Sequence, residues 1–357
     1  MVDAVEVSVV IGAFRRSAHL PAAVRSVRDQ TLGRDRFEIV VTKSFADPSV
    51  DAALAADGVR VIQDDEPVIG RWLLRAVRAG RGPIVAFLDD DDEFEPDRLA
   101  RIVETFRAHP DLGFYRNRVR VIDGDGRAVP PERWRRHEVD AARDASGPMY
   151  RAAHDKRGLW RTGARDGWAT FNSSTMAIRR ELLDGAVGAA FERTMQPDQF
   201  LFLAGLVAPF GVFLDDRRLT RYRYYGGNVS HTLERLHDWA GSEHEMADVA
   251  RRGGEPEYAE FLAREADHYE QMYRGGRLMQ RIGEGADRRE VMRLTEEYFR
   301  FLGAHPAERR WTVDAWAAGL YGLGCVVAPS LTRPIARART SARAAAEGRP
   351  DPFRGPA

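Results

Sequence analysis

An apolar run, Pro83-Ile84-Val85-Ala86-Phe87-Leu88, ends abruptly in four consecutive carboxylates, Asp89-Asp90-Asp91-Asp92. Glu93-Phe94-Glu95 follows, and Pro96-Asp97 then opens a helical pattern in which Leu99, Ile102, Val103 and Phe106 share one face. The apolar run reads as a buried parallel strand. Its carboxyl end is where open α/β sheets place their ligands. Four adjacent carboxylates repel one another, and the usual compensation is a divalent cation with oxygen ligands. A solvated acidic turn is the plain alternative, and the strand before and helix after it weigh against that.

The rest of the first half alternates strand and helix. Val5 to Ile11 is β-rich, and Ser17 is placed to cap a helix carrying Leu20, Val24 and Val27 as far as about Gln30. Phe37 to Thr42 reads as a strand, Val50 to Ala56 as a short helix, Val59 to Gln63 as a strand and Ile69 to Ala79 as a helix. This spacing predicts βαβ units and a mainly parallel sheet. A further alternating segment runs from Gly113 to Asp123, and Asp123-Gly124-Asp125-Gly126 is a turn.

Composition bounds the function classes. The chain has 357 residues, 44% of them hydrophobic, enough for one large domain with an appendage. Its formal net charge of +0 argues against a nucleic-acid binder that relies on bulk charge. Lys43 and Lys156 are the only lysines among 54 cationic residues. Arginine suits diphosphate recognition. Cys325 stands alone, which excludes an internal disulfide and a cysteine-based zinc site. Met1 to Glu6 carries no basic and apolar leader, so a cytoplasmic location is expected.

The acidic strand, with Pro96-Asp97-Arg98-Leu99 after it, resembles the aspartate motif of family 2 glycosyltransferases, which have the GT-A fold. The resemblance runs from about Val7 to about Ser230. Val7-Ser8-Val9-Val10-Ile11-Gly12-Ala13-Phe14-Arg15-Arg16 is similar to that family's first strand and loop, with Gly12 and Phe14 in place of a common Pro and Tyr. Leu20 through Thr31 and Phe37 to Val41 continue the likeness. Where many members carry an acidic base-contacting segment, this chain has Thr42-Lys43-Ser44-Phe45. The nucleotide base is therefore left open, with uridine favoured.

The resemblance implies an α/β, GT-A-type nucleotide-diphospho-sugar transferase fold over residues 1–232, with a mainly parallel central sheet. A variable acceptor-side insertion is expected near 124–168, a C-terminal helical appendage over 233–343 and a disordered tail over 344–357. It implies Gly12, Ala13, Phe14, Arg15, Lys43, Asp89, Asp90, Asp91 and Arg223 on the donor side. It makes Asp91 the ligand of Mn²⁺ or Mg²⁺, with His231 as a second metal or phosphate contact, although a lone histidine is more often structural. Trp168, Asn172, Ser173 and Ser174 fall on the acceptor side. Met195-Gln196-Pro197-Asp198-Gln199 resembles the segment whose aspartate is the catalytic base; as a plain alternative, Asp198 is a helix N-terminal charge.

The implied reaction is inverting transfer of a sugar from a nucleotide-diphosphate donor, UDP-sugar favoured, to an acceptor hydroxyl. Saccharide, lipid-linked and small-molecule acceptors all remain open. Two other readings compete: a non-catalytic sugar-nucleotide or partner-binding protein, and a nucleotidyltransferase, for which Gly12 to Arg16 is only a faint echo. Residues 128–168 are rich in Arg, with Trp134, Trp160 and Trp168, and read either as an acceptor-facing region or as a surface loop. Glu257 through Tyr298 reads as two amphipathic helices separated at Gly283 to Gly285, suited to packing or homo-oligomerisation. Ala315 to Thr332 carries no charge and precedes Arg333, Arg337 and Arg339. It suits either a segment dipping into a membrane surface or a buried hairpin.

Overall fold

The structure is a computed structural model that describes residues 5–130, 147–161, 169–224, 233–304 and 313–346. The first half alternates as β1 (Val7–Ala13), α1 (Leu20–Arg28), β2 (Phe37–Lys43), α2 (Pro48–Ala56), β3 (Arg60–Gln63), α3 (Ile69–Ala79), β4 (Ile84–Asp89), β5 (Glu93–Phe94), α4 (Arg98–Ala108) and β6 (Leu112–Ile122). After β6 come β7 (Met149–Arg151), β8 (Met176–Arg179), α5 (Gly185–Phe191), α6 (Pro197–Val207) and β9 (Gly211–Arg223).

These strands form one mixed sheet in the order β3-β2-β1-β4-β8-β6-β9-β5, with β7 on β9. β1, β2, β3 and β4 are mutually parallel, and β1 and β2 are buried along their whole length. Continuous burial is what a parallel strand covered on both faces requires. One apolar core joins Val9 and Ile11 of β1, Ile39 and Val41 of β2, Leu88 of β4, and Leu99, Ile102, Val103 and Phe106 of α4.

β8 is the strand that assembles the site. It runs antiparallel to both β4 and β6, with Ala177 opposite Ala86 and Tyr115. The residues just before it therefore lie beside the carboxyl end of β4. β6 and β9 are parallel to each other. Through β8 both point the same way as β4, so Arg223 arrives at that same edge.

The expected cap of the first helix needs correction. α1 starts at Leu20 with His19 at its N-cap; Ser17 gives this helix its carbonyl, to the Leu20 amide, while its side chain bonds Asp47. After Thr170 the short β8 is flanked by two single 3₁₀ turns, Ser173–Thr175 and Arg180–Leu183.

The chain divides into two compact units, residues 1–225 with 245–259, and residues 226–244 with 260–357. The second is helical. The chain continues as α7 (Leu233–Arg252), α8 (Pro256–Glu284), α9 (Arg288–Ala304), α10 (Val313–Val327) and α11 (Pro329–Ala346). Its core joins Leu278 and Ile282 of α8, Leu294 and Tyr298 of α9, Cys325 of α10 and Ala336 of α11. The uncharged segment from Ala315 is thus the first arm of a helical hairpin, and α11 runs past Ala344 to Ala346. Among the described residues no helix is long and apolar enough to cross a membrane.

Candidate active site

The four aspartates form the turn between β4 and β5. The Asp90 amide donates to Gly12 O at 3.2 Å and the Asp92 amide to Asp89 O at 3.2 Å, which folds the carboxylates back on one another. One oxygen each of Asp89, Asp91 and Asp92 lies within 4.8 Å of the others. Asp90, Asp91 and Asp92 are nearly inaccessible. Burial, together with neighbouring carboxylates, holds Asp89 well above the usual carboxylate range and pushes Asp92 up to about 7. Burial raises Asp90 to about 6 even though Arg16 opposes it. An all-oxygen, multiply charged set of this kind fits a hard divalent cation such as Mg²⁺ or Mn²⁺.

The loop before β8 fixes this cluster. Ser173 Oγ donates to Asp89 Oδ1 at 3.0 Å. Ser174 Oγ accepts from the Asp89 amide at 3.0 Å and donates to Asp92 Oδ2 at 2.6 Å. Asn172 Nδ2 donates to Asp92 Oδ2 at 2.7 Å, while its Oδ1 accepts from the Ser174 amide at 2.6 Å. The Asn172 amide in turn donates to Asp198 Oδ2 at 3.2 Å. One residue therefore ties the acidic turn to Asp198. It does so at φ +64°, one of two non-glycine residues with positive φ among those described, and asparagine tolerates that region better than most.

Asp198 occupies the first turn of α6, just after Pro197, a favoured start for a helix. Its Oδ1 accepts from the Gln199 amide at 2.9 Å. Burial raises its proton affinity, opposed by these backbone bonds and by the field of Arg116. A carboxylate so placed is a competent proton acceptor.

The residues expected on the donor side divide by role. Gly12 and Ala13 close β1 against Asp89 of β4 and Lys43 of β2. Gly12 is required there, because a Cβ would stand 2.3 Å from the Trp72 ring. Arg15, at φ +59°, is exposed and stacks its guanidinium 4.9 Å from the Phe14 ring. Lys43 is enclosed, pairing with Asp51 at 2.8 Å and donating to Gln63 Oε1 and Phe45 O. Arg223 turns inward: its amide donates to Asp92 Oδ1 and its Nε to Asp91 O, both at 2.8 Å. Its Nη atoms reach Asp123 O, Gly124 O and Glu93. It braces the acidic turn from the β9 side. Trp168 and His231 lie outside the described residues.

Other members of the site went unread in the sequence. Arg16, not Arg15, meets the carboxylates, with Nη2 2.8 Å from both Asp90 Oδ1 and Asp91 Oδ2. His19 sits in the fields of Arg223, Asp91 and Arg16, and burial lowers its proton affinity. Arg98, fully buried, donates to Asn117 Oδ1 at 2.9 Å and to Met176 O at 3.2 Å, with its guanidinium 3.9 Å from the Phe94 ring. Asn117 Nδ2 donates to Thr220 Oγ1, which donates to Ser174 O. This chain of bonds links α4, β6 and β9 to the loop that holds Asp92. The arginine pair and the Pro-Asp-Arg-Leu segment were the available signals.

Comparison with known proteins gives a consistent answer. A family profile described as "Glycosyl transferase family 2" matches residues 8–184, about half of the chain. An uncharacterised glycosyltransferase of Nostoc sp. is 30% identical over 129 residues, 35% of this chain and 39% of that protein. EpsH of Bacillus subtilis, which carries a glycosyltransferase name, is 28% identical over 111 residues, 30% of this chain and 32% of that one. The chain thus spans only about a third to two fifths of these relatives' length. Among solved structures, TarS 1–349 of S. aureus in complex with UDP-GlcNAc superposes with a TM-score of 0.56 at 14% identity, covering 98% of this chain and 93% of that one. At that identity the likeness speaks for the fold.

Proposed function

This chain belongs to glycosyl transferase family 2, and from that premise we propose that it moves a sugar from a nucleotide-diphosphate donor to an acceptor hydroxyl, with inversion at the anomeric carbon. The observation that carries this reading is the Asn172 bridge, which joins a three-carboxylate cluster to an isolated carboxylate at one sheet edge. That arrangement offers a cation site for a diphosphate and, beside it, a base for an acceptor.

Asp91, with Asp89 and Asp92, would hold Mn²⁺ or Mg²⁺. When bound, such a cation supplies Lewis-acid neutralisation of charge on a leaving diphosphate. Arg16, already beside Asp90 and Asp91, adds a guanidinium suited to phosphate oxygens. Asp198 takes the proton from the acceptor hydroxyl as its oxygen attacks from the face opposite the leaving group. The anomeric carbon gains oxocarbenium character, as in glycoside hydrolysis. Asn172 and Gln199 leave Asp198 one firm orientation through their amides. UDP-sugar is the favoured donor, in keeping with the UDP-GlcNAc bound to TarS. The enclosed Lys43 stands where the family often carries a base-reading carboxylate.

The test is release of nucleoside diphosphate from a panel of nucleotide sugars with Mn²⁺ present. Asp198→Asn should lower turnover by ~10²–10⁴-fold while donor binding persists. Near-full turnover in that variant would remove Asp198 from the base role.

A further inference from the structure

Six large apolar side chains stand exposed among the described residues, and four of them, Leu320, Leu323, Val327 and Ile335, lie in the α10–α11 hairpin. Leu320, Leu323 and Val327 are 58%, 50% and 82% exposed and recur at i, i+3 and i+7, one face of a helix. The opposite face of α10 is packed. Ala318 and Cys325 are buried, and a Cβ at Gly319 or Gly322 would run into Phe299 or Thr295. The glycines bring α10 close to α9 on that side. A helix apolar on both faces ordinarily has both covered. Here one is covered and the other is bare.

Beyond Asp314, the charge of the hairpin has one sign. From residue 315 to 346 there is no acidic residue, and the charged side chains are Arg333, Arg337, Arg339 and Arg343. Arg337 and Arg339 are exposed in part: Arg337 Nε also donates to Gly283 O at 2.6 Å, as Arg333 Nη2 does to Ala286 O at 3.0 Å, and Arg339 lies 5.4 Å from the Tyr321 ring. α10 does not meet the length and hydropathy of a spanning helix. A second copy docking through the same face would bring together two hairpins whose charges from residue 315 on are all arginine, and like charges in contact oppose such pairing. An anionic surface with an apolar interior complements both features at once.

We propose that the α10–α11 hairpin docks this chain on an anionic lipid surface, with Leu320, Leu323 and Val327 entering the acyl boundary and the α11 arginines meeting headgroup phosphates. The test is co-sedimentation of the full chain with phosphatidylcholine vesicles, with and without phosphatidylglycerol. Wild type should partition onto the phosphatidylglycerol vesicles, less so in high salt, and stay off the neutral ones. Leu323→Asp/Val327→Asp changes two exposed side chains, so its circular dichroism should match wild type while vesicle binding falls about tenfold or more. Three results would overturn the proposal. The first is wild type staying in the supernatant with anionic vesicles, and the second is the folded double variant binding as wild type does. The third is a wild-type oligomer, seen by light scattering, that the variant dissociates, with no vesicle binding.

Discussion

Asn172 has three jobs at one backbone position. Its amide holds Asp198, its side-chain nitrogen holds Asp92, and its side-chain oxygen caps the turn that presents Ser174. Asn172→Ala keeps the amide and removes the rest. We expect turnover to fall by about ten- to hundredfold, as small misplacements of reacting groups do, with unfolding stability lowered by about 1–3 kcal/mol because alanine is strained at that positive φ and buried partners lose their bonds; unchanged kcat would show that Asp92 needs no such bracing. Asp198 gives a pH prediction. Burial favours its neutral form, so the base role proposed for it is lost to protonation at a pH above the ordinary aspartate value. The acid limb of kcat should therefore sit above that value, and Asp198→Asn should erase it. Gly12→Ala would drive a methyl into Trp72 and cost about 1–3 kcal/mol in urea unfolding. Trp72→Leu alongside it should recover part of that loss. The acidic turn was legible in the sequence because four adjacent carboxylates demand a compensating charge. Arg16 was not. The positive φ at Arg15 turns one arginine outward and the next inward, and nothing in Arg15-Arg16 itself announces which is which.

Elements with strong periodicity were read closely. α3 falls on Ile69–Ala79 as its apolar face requires, and α4 buries Leu99, Ile102, Val103 and Phe106 as their spacing demands. β9 was missed as a strand. Asp215-Asp216-Arg217-Arg218 interrupts its apolar pattern, and its register against β6 shifts on either side of Arg118. Arg101 and Tyr115 bonds to the buried Asp215 compensate that charge, a contact across elements that no local pattern reveals. Lysine use became clear only in three dimensions. Lys43 and Lys156, the two lysines, are both enclosed. Lys156 Nζ donates to Gly205 O and Phe210 O, each at 2.7 Å, and to Ala208 O, capping the end of α6 opposite Asp198. A compact ammonium fits three converging carbonyls where a planar guanidinium does not. Lys156→Met should cost about 1–3 kcal/mol in denaturant titration, and Lys156→Arg should not restore it. Wild-type stability in the Met variant would mean that the cap contributes nothing.

At the scale of the molecule, net neutrality conceals local separation. The carboxyl edge of the sheet gathers Asp89 to Asp92 and Glu93, partly balanced by Arg16 and Arg223, while residues 315–346 carry arginine as their only charge. The proposed function rests on this acidic edge recruiting a divalent cation. Calorimetric titration of nucleoside diphosphates, with and without Mn²⁺, into wild type and Asp91→Asn tests it most directly. One nucleotide should bind wild type only when Mn²⁺ is present and fail to bind the folded variant. Equal binding without the metal, equal binding by Asp91→Asn, or no binding of any nucleotide to folded wild type would contradict it.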